Sequence, residues 1–364
     1  MDLYSFATNT RRAIVYGALG LVAFLVLTVL YRFAANLYLT LNPPPEPPPT
    51  VGFGKLPKLT LSSLEIEGNP TYLLETPTGE LPTFVDRIQV VAMAQVQPTL
   101  LGEEKARELA RDLDFGGQGV LSADRRTLTF GDEIDKRTLA VNVVTQNFTL
   151  STDLERISSL SLGRAASGPD AIQEAQGTLN SLGLLKFGFD TGNQTAAFWA
   201  VTNGTGVEVG STSEAHFTEV NFFRSLTEVT SQSYPILPAN PKAGLIRVWV
   251  TSKLKPDILN TLSLSYNAQE VEIDKSKVET YPLENIATAW ESVKQGAGIA
   301  YVEVSGKINS ISITNVSIAY FDDPQHQDYL QPIYVFSGVT KTNNGKEGEF
   351  FAYAPAISAS WISE

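Results

Sequence analysis

The residues with the means to do chemistry are few in this chain. It holds no cysteine and only two histidines, His216 and His326, so composition alone rules out a thiolate nucleophile, a disulfide frame, a zinc–thiolate site and an iron–sulfur cluster. The densest cluster is "FDDPQHQDYLQPIYVFSG", residues 321–338, where Asp322, Asp323 and Asp328 crowd around His326. Three carboxylates and an imidazole have the makings of a metal or acid/base site. Against that, an alternating strand (Val316, Ile318, Tyr320) runs in and another (Ile333, Val335) runs out. Asp-Asp-Pro between strands is turn chemistry: the carboxylates bond local backbone and Pro324 fixes the bend. One histidine without a second nitrogen ligand makes a poor transition-metal site. The stretch therefore reads as a surface loop between two strands.

The other candidates are weaker. His216, in "SEAHFTEVNFF" with Glu214 and Glu219 nearby, reads as a solvated or partly buried strand histidine. "TFGDEIDK" spaces Asp132, Glu133 and Asp135 as a calcium loop does, but the longer ligand set of an EF-hand is missing. Gly-rich "DFGGQG" (114–119) follows a helix where a phosphate loop would open one, so it reads as a helix stop. No HExxH, GxSxG or P-loop pattern occurs. No catalytic, cofactor-binding or metal-binding residue is assigned, and the expectation is a protein that is not an enzyme.

The elements around these residues suggest a different kind of role. Ala13 to Tyr31 is nineteen residues without a charge, about 28 Å as a helix and enough to cross a bilayer. The residues just after it lack a small-x-small cleavage site, so a retained anchor is expected. Arg11 and Arg12 before the span, against Arg32 after it, place the N-terminus in the cytoplasm and the bulk of the chain outside the cell membrane. "NPPPEPPPT", residues 42–50, cannot be helical with six prolines and predicts a polyproline II stalk of about 28 Å. The first 58 residues hold five basic and two acidic side chains, so with a total of −12 the remainder carries −15. An acidic body of that kind repels phosphate backbones, and nucleic acid is not expected as a partner.

Three segments then show helical periodicity. "GEEKARELARDLDF" has Ala106, Leu109, Ala110 and Leu113 on one face. "SGPDAIQEAQGTLNSLGLL" has Pro169 in its first turn and a stripe of Ile172, Ala175, Leu179 and Leu182. "YPLENIATAWESVKQGAG" turns Leu283, Ile286, Ala287, Trp290 and Val293 inward. Strand-rich sequence surrounds them, with hairpin signals at Asn203-Gly204 and Asn344-Gly345. The fold class expected is α+β: residues 1–12 cytoplasmic, a transmembrane helix at 13–31, a juxtamembrane segment and Pro-rich stalk at 32–58. Three tandem modules would follow at 59–152, 153–262 and 263–364, each one helix packed on antiparallel sheet.

"LENIATAWESVKQGAGIAYV", "ISITNVSIAYF" and "YLQPIYVFSG", in that order, resemble the C-terminal part of YycH/YycI-type extracytoplasmic regulators, and "PDAIQEAQGTLNSLG" is similar to the helix of PepSY-like modules. The resemblance spans about residues 165–355. It implies a non-catalytic regulatory role, docking another envelope protein such as a sensor kinase or a peptidase. The long stalk and the module at 59–152 depart from the YycI pattern. The alternative is a structural subunit of a multi-protein envelope assembly, and homo-oligomer formation stays open. Trp199, Trp249 and Trp290 are expected in the core, whereas Trp361, in "ISASWISE", is expected as an exposed aromatic contact. Trp361, Tyr329 and Gln331 are the residues expected at a partner interface.

Overall fold

The computed structural model describes residues 3–41, 48–94, 100–132, 136–153, 165–225, 234–251, 261–268 and 277–363. It comprises two units, Met1–Pro48 and Pro49–Glu364. The first unit is one helix, α1 (Leu3–Leu41), 39 residues long. Its stretch Tyr16–Tyr38 is long and apolar enough to cross a membrane, with a mean hydropathy of 2.1. The apolar segment runs further than expected. Phe33, Leu37 and Tyr38 resume it beyond Arg32, and one guanidinium among so many helix-compatible neighbours does not interrupt an α-helix. The proline run at 42–47 lies outside the described residues.

The second unit is built on two sheets, not three modules. Its strands in chain order begin with β1 (Thr71–Leu74) and β2 (Arg87–Ala92), followed by α2 (Gly102–Asp112). Next come β3 (Val120–Leu121), β4 (Thr127–Asp132), β5 (Arg137–Asn142) and β6 (Phe148–Thr152), then α3 (Gly168–Ser181). β7 (Gln194–Thr202), β8 (Thr205–Val209), β9 (Phe217–Phe222), β10 (Ile236–Leu237), β11 (Ile246–Val250), β12 (Thr261–Tyr266) and β13 (Val278–Pro282) lead to α4 (Ile286–Lys294). β14 (Ile299–Val302), β15 (Ile308–Phe321), β16 (Tyr329–Thr342) and β17 (Glu347–Pro355) complete the set.

Nine strands form an antiparallel sheet in the order β3-β4-β5-β6-β12-β11-β9-β7-β8. β6 pairs with β12 through Leu150 and Leu264, so the seams expected near 152 and 262 bring together strands of one continuous sheet. The physical reason is edge satisfaction: a module ending at β6 would leave a row of open backbone groups that β12 instead pairs. One face carries Leu139, Val141, Leu150, Val220, Phe222, Val248 and Leu264 and is covered by Ala106 and Ala110 of α2 and Ala171, Ala175 and Leu179 of α3. Alanines at the helix contacts let both helices lie close to the sheet. α3 starts where the sequence says it should. Ser167 caps it by accepting from the Asp170 N–H, with Pro169 in the first turn.

The eight-stranded sheet has the path β1-β15-β16-β17-β14, with β10 on β15, β2 on β16 and β13 on β2. Its centre is buried on both faces. Ile311, Ile313, Val316, Ile318, Phe336, Phe350 and Ala352 pack under Trp290 and Val293 of α4. On the other face Ala319, Phe321, Ile333, Val335 and Tyr353 meet Leu59, Leu61 and Leu237. Two-sided burial explains why "PIYVF" reads as an unbroken apolar run. Each large side chain so buried contributes about 1.5–3 kcal/mol. Four tyrosines of this sheet donate their hydroxyls to passing main chain: Tyr281 to Gly54 O, Tyr320 to Gln89 O, Tyr334 to Glu284 O and Tyr353 to Pro238 O. Burial pushes the Tyr334 phenol up to about 12 and Tyr320 and Tyr353 higher still, so all three stay neutral donors.

Candidate functional site

The hairpin between β15 and β16, residues 321–331, is where the described parts of the second unit meet. Asp322 leaves β15 with its N–H on Leu237 O at 3.0 Å, which ties it to β10. Its carboxylate is not a solvated turn acid. Arg224, just past β9 of the nine-stranded sheet, places Nε 2.8 Å from Asp322 Oδ2, with side chains 0% and 2% exposed. Arg224 Nη1 also donates to Phe187 O at 3.0 Å, and the guanidinium lies 4.7 Å over the Phe189 ring. The loop bearing those two residues wraps the arginine only because Gly188 adopts φ +87° and a Cβ there would stand 2.1 Å from Ser225 O. Asp322 Oδ1 is buried and accepts no hydrogen bond. Burial pushes the Asp322 carboxyl above the usual range, and the Arg224 charge opposes that rise.

The rest of the turn behaves as the sequence suggests. Asp323 Oδ1 accepts from the Gln325 N–H at 2.7 Å, and the Asp323 N–H donates to Gln327 Oε1 at 3.2 Å. His326 Nε2 lies 3.3 Å from Asp328 Oδ1, both side chains about half exposed. Asp328 O accepts from the Met93 N–H at 2.8 Å, which extends the junction to β2.

The three residues expected at a partner interface converge, and what they touch is the chain's own lead-in segment, residues 50–57. Gln331 is buried, and its Nε2 donates to Pro57 O at 2.9 Å. The Tyr329 ring lies 4.9 Å from that of Phe53. Trp361, half-buried, meets Tyr281 edge-on at 6.2 Å. Around them Leu56 is fully buried. Its N–H donates to Trp361 O and its carbonyl accepts from the Ser363 N–H, both at 2.8 Å. Val51 N donates to Thr280 O at 3.0 Å. Trp361 thus turns inward, because the last residues of the chain form a parallel bridge beside Leu56. The result is a clasp: the first residues of the folded body are held between β13, β16 and the C-terminal segment.

Other candidates resolve individually. His216 Nδ1 accepts from the Val201 N–H at 2.9 Å, which fixes the imidazole at a strand end. Trp290 is in the core, whereas Trp199 and Trp249 flank Phe217 in a small separate cluster. There Trp249 Nε1 donates to Glu219 Oε2 at 2.7 Å and Asn221 Nδ2 to Oε1 at 3.1 Å, so a carboxylate only 7% exposed is held by two neutral donors. The DFGGQG stretch ends α2: Asp114 takes φ +61° and the Phe115 N–H returns to Ala110 O. Of the acidic trio at 132–135, Glu133 and Asp135 lie outside the described residues. Among the described residues no group of three or more acidic or histidine side chains could hold a metal ion.

No family model matches this chain. No curated protein matches it either. Among solved structures it is similar to an uncharacterized protein from Eubacterium rectale ATCC 33656, with 12% identity over 75% of this chain and 84% of that one and a TM-score of 0.35. A likeness of that degree assigns no role to any residue.

Proposed function

We propose that this protein is a single-pass membrane protein, N-terminus in the cytoplasm, whose β-rich body works outside the membrane as a non-catalytic docking module for another envelope protein. The clasp carries the reading. A body that grips its own lead-in through Leu56, Gln331, Trp361 and Ser363 can pass a force or displacement from a bound partner to the segment that leads back to the membrane helix. A loosely tethered domain could not. Arg11 and Arg12 on one side of the apolar stretch support the orientation. The YycH/YycI- and PepSY-like resemblance points to a sensor kinase or a peptidase as the kind of partner.

The test is crosslinking in intact cells, comparing the full chain with one lacking residues 49–364. The docking reading requires a membrane or envelope protein that is recovered with the full chain and lost with the truncation, and a protease-protected N-terminus. Unchanged recovery of every partner sinks it. A large detergent-stable homo-oligomer with no other protein in it would instead make the chain a structural subunit.

A further inference from the structure

The last strand of the nine-stranded sheet, β8 ("TGVEV"), is paired on one side only. Asn203 and Gly204, at φ +51° and +73°, make a two-residue turn whose flanking pair, Thr202 and Thr205, exchanges both main-chain hydrogen bonds. Alternation then gives the N–H and C=O groups of Val207 and Val209 to β7 and turns those of Gly206 and Glu208 outward. The far side of β7 agrees. Trp199 O accepts from the His216 N–H, and the Val201 N–H donates to His216 Nδ1, so these positions of β7 face away from β8. Thr205 and Glu208 are exposed, and Val207 is 48% exposed. Among the described residues no group bonds the outward N–H and C=O of Gly206 or Glu208. Such an edge is ordinarily blunted by lysine, proline or a bulge. β8 has none of these, and its only charge is Glu208.

We propose that the outer edge of β8 takes a basic, extended segment of another protein by strand addition. The inference rests on the docking reading above and gives the partner's chemistry. Charge selects it. Glu208 stands opposite Trp199, and its charge reaches Tyr301 of β14: burial, then the carboxylates of Glu303, Glu208 and Glu349, push that phenol up. Three carboxylates thus bear on one half-buried ring. The chain already seats one ammonium there. Lys242 pairs with Glu349, and its Nζ lies 6.0 Å from the Tyr301 centroid and 5.7 Å from that of Phe351. One lysine against three carboxylates leaves an acidic surplus. A segment laid along β8 brings a lysine or arginine one strand spacing, about 4.8 Å, beyond Glu208, while its alternate side chains lie beside Val207 and are apolar. A second copy fits worse. In two-fold antiparallel register about Val207, each Glu208 would sit diagonal to its mate on one face of the sheet, and two bodies of −15 repel.

The probe is a capped synthetic hexapeptide alternating valine and lysine. Its controls are a valine–glutamate hexapeptide and an N-methylated valine–lysine one that cannot donate main-chain hydrogen bonds. Amide hydrogen exchange is read on the detergent-solubilised full chain. In the free protein Gly206 and Glu208 should exchange at least about tenfold faster than Val207 and Val209, whose amides bond β7. The valine–lysine peptide should slow the first pair about tenfold, and neither control should. Glu208→Lys, at an exposed position, should weaken that peptide about fivefold, as attraction becomes repulsion in an exposed pair. Slow exchange of Gly206 and Glu208 in the free protein overturns the inference, because the edge would already be satisfied. So does protection that grows with protein concentration alone, which would make a second copy the occupant. Equal protection by the valine–lysine peptide and either control, or none by any, also overturns it. If cellular crosslinking recovers a partner while these amides stay unresponsive, the docking reading survives and this edge does not. The reverse pattern removes the docking reading alone.

Discussion

Replacing Arg224 with methionine should expose what joins the two sheets. The guanidinium is fully buried against Asp322, and removing one partner of such a pair leaves an uncompensated charge at a cost of about 3–5 kcal/mol. Asp322→Leu should cost a similar amount for the same reason. The double variant Arg224→Met/Asp322→Leu removes both charges together, and apolar replacement of a buried pair is often close to neutral. It still forfeits the bond from Arg224 to Phe187 O, leaving that carbonyl short of a donor at about 1–3 kcal/mol. The double variant should therefore be more stable than either single one, with a coupling energy of at least about 3 kcal/mol. Pulse proteolysis of the detergent-solubilised full chain across a urea series reads each value. Additive losses would refute the pair as the joint.

The same variant has a pH signature. Burial holds the Asp322 carboxyl above its ordinary 3.8 even with Arg224 present. A carboxyl whose folded pKa is raised contributes stability that is complete below the unfolded value and is lost as pH rises through the folded value. Arg224→Met removes the opposing charge and pushes the carboxyl further up. Its deficit should thus be smallest near pH 4 and grow toward neutrality, by about 1.4 kcal/mol for every tenfold weakening of the carboxyl's acidity. Asp322→Asn has no proton to exchange, so its deficit against the wild type should shrink as pH rises over the same window, the opposite trend. A flat profile for Arg224→Met would mean that Asp322 is hydrated in solution despite its burial.

Three further outcomes are expected. Leu56→Ala should cost about 2–5 kcal/mol as a core truncation and speed exchange at the Ser363 amide, which bonds Leu56 O; slow exchange at Ser363 in the variant would show that the C-terminal segment is held elsewhere. Trp249→Phe keeps an aromatic ring but strips the donor from Glu219, at about 1–3 kcal/mol, and Trp249→Phe/Glu219→Leu should recover part of that in the same urea assay. Gly188→Ala, at φ +87° with Ser225 O in the way, should cost at least about 1–3 kcal/mol and weaken the Arg224 coupling, since it displaces the loop that wraps the guanidinium.

What could be read in advance divides along the range of the interactions involved. α2, α3 and α4 and the hairpins at Asn203-Gly204 and Asn344-Gly345 follow from patterns spanning fewer than about twenty residues, where spacing alone decides which side chains share a face. Strand neighbours do not. β6 pairs with β12 across more than a hundred residues, and β13 joins β2 across a still longer interval, so helix-then-meander order suggested modules that the pairing dissolves. Asp322 and Asp323 show the same limit at single-residue scale. They are adjacent and alike in local sequence, yet one bonds its own turn and the other is buried on Arg224, 98 residues away. A cue did exist in "VNFFRS": β9 is buried at every position, and a charge that closely follows such a strand needs a partner if the burial continues. Trp361, Tyr329 and Gln331 read as candidates for a partner's surface, and in the fold each turns to the chain's own residues. Their partner was hidden because "GFGKLP" looks like linker. Only the fold reveals that Leu56, alone in that segment, is fully buried, which makes the end of the expected stalk the first element of the core.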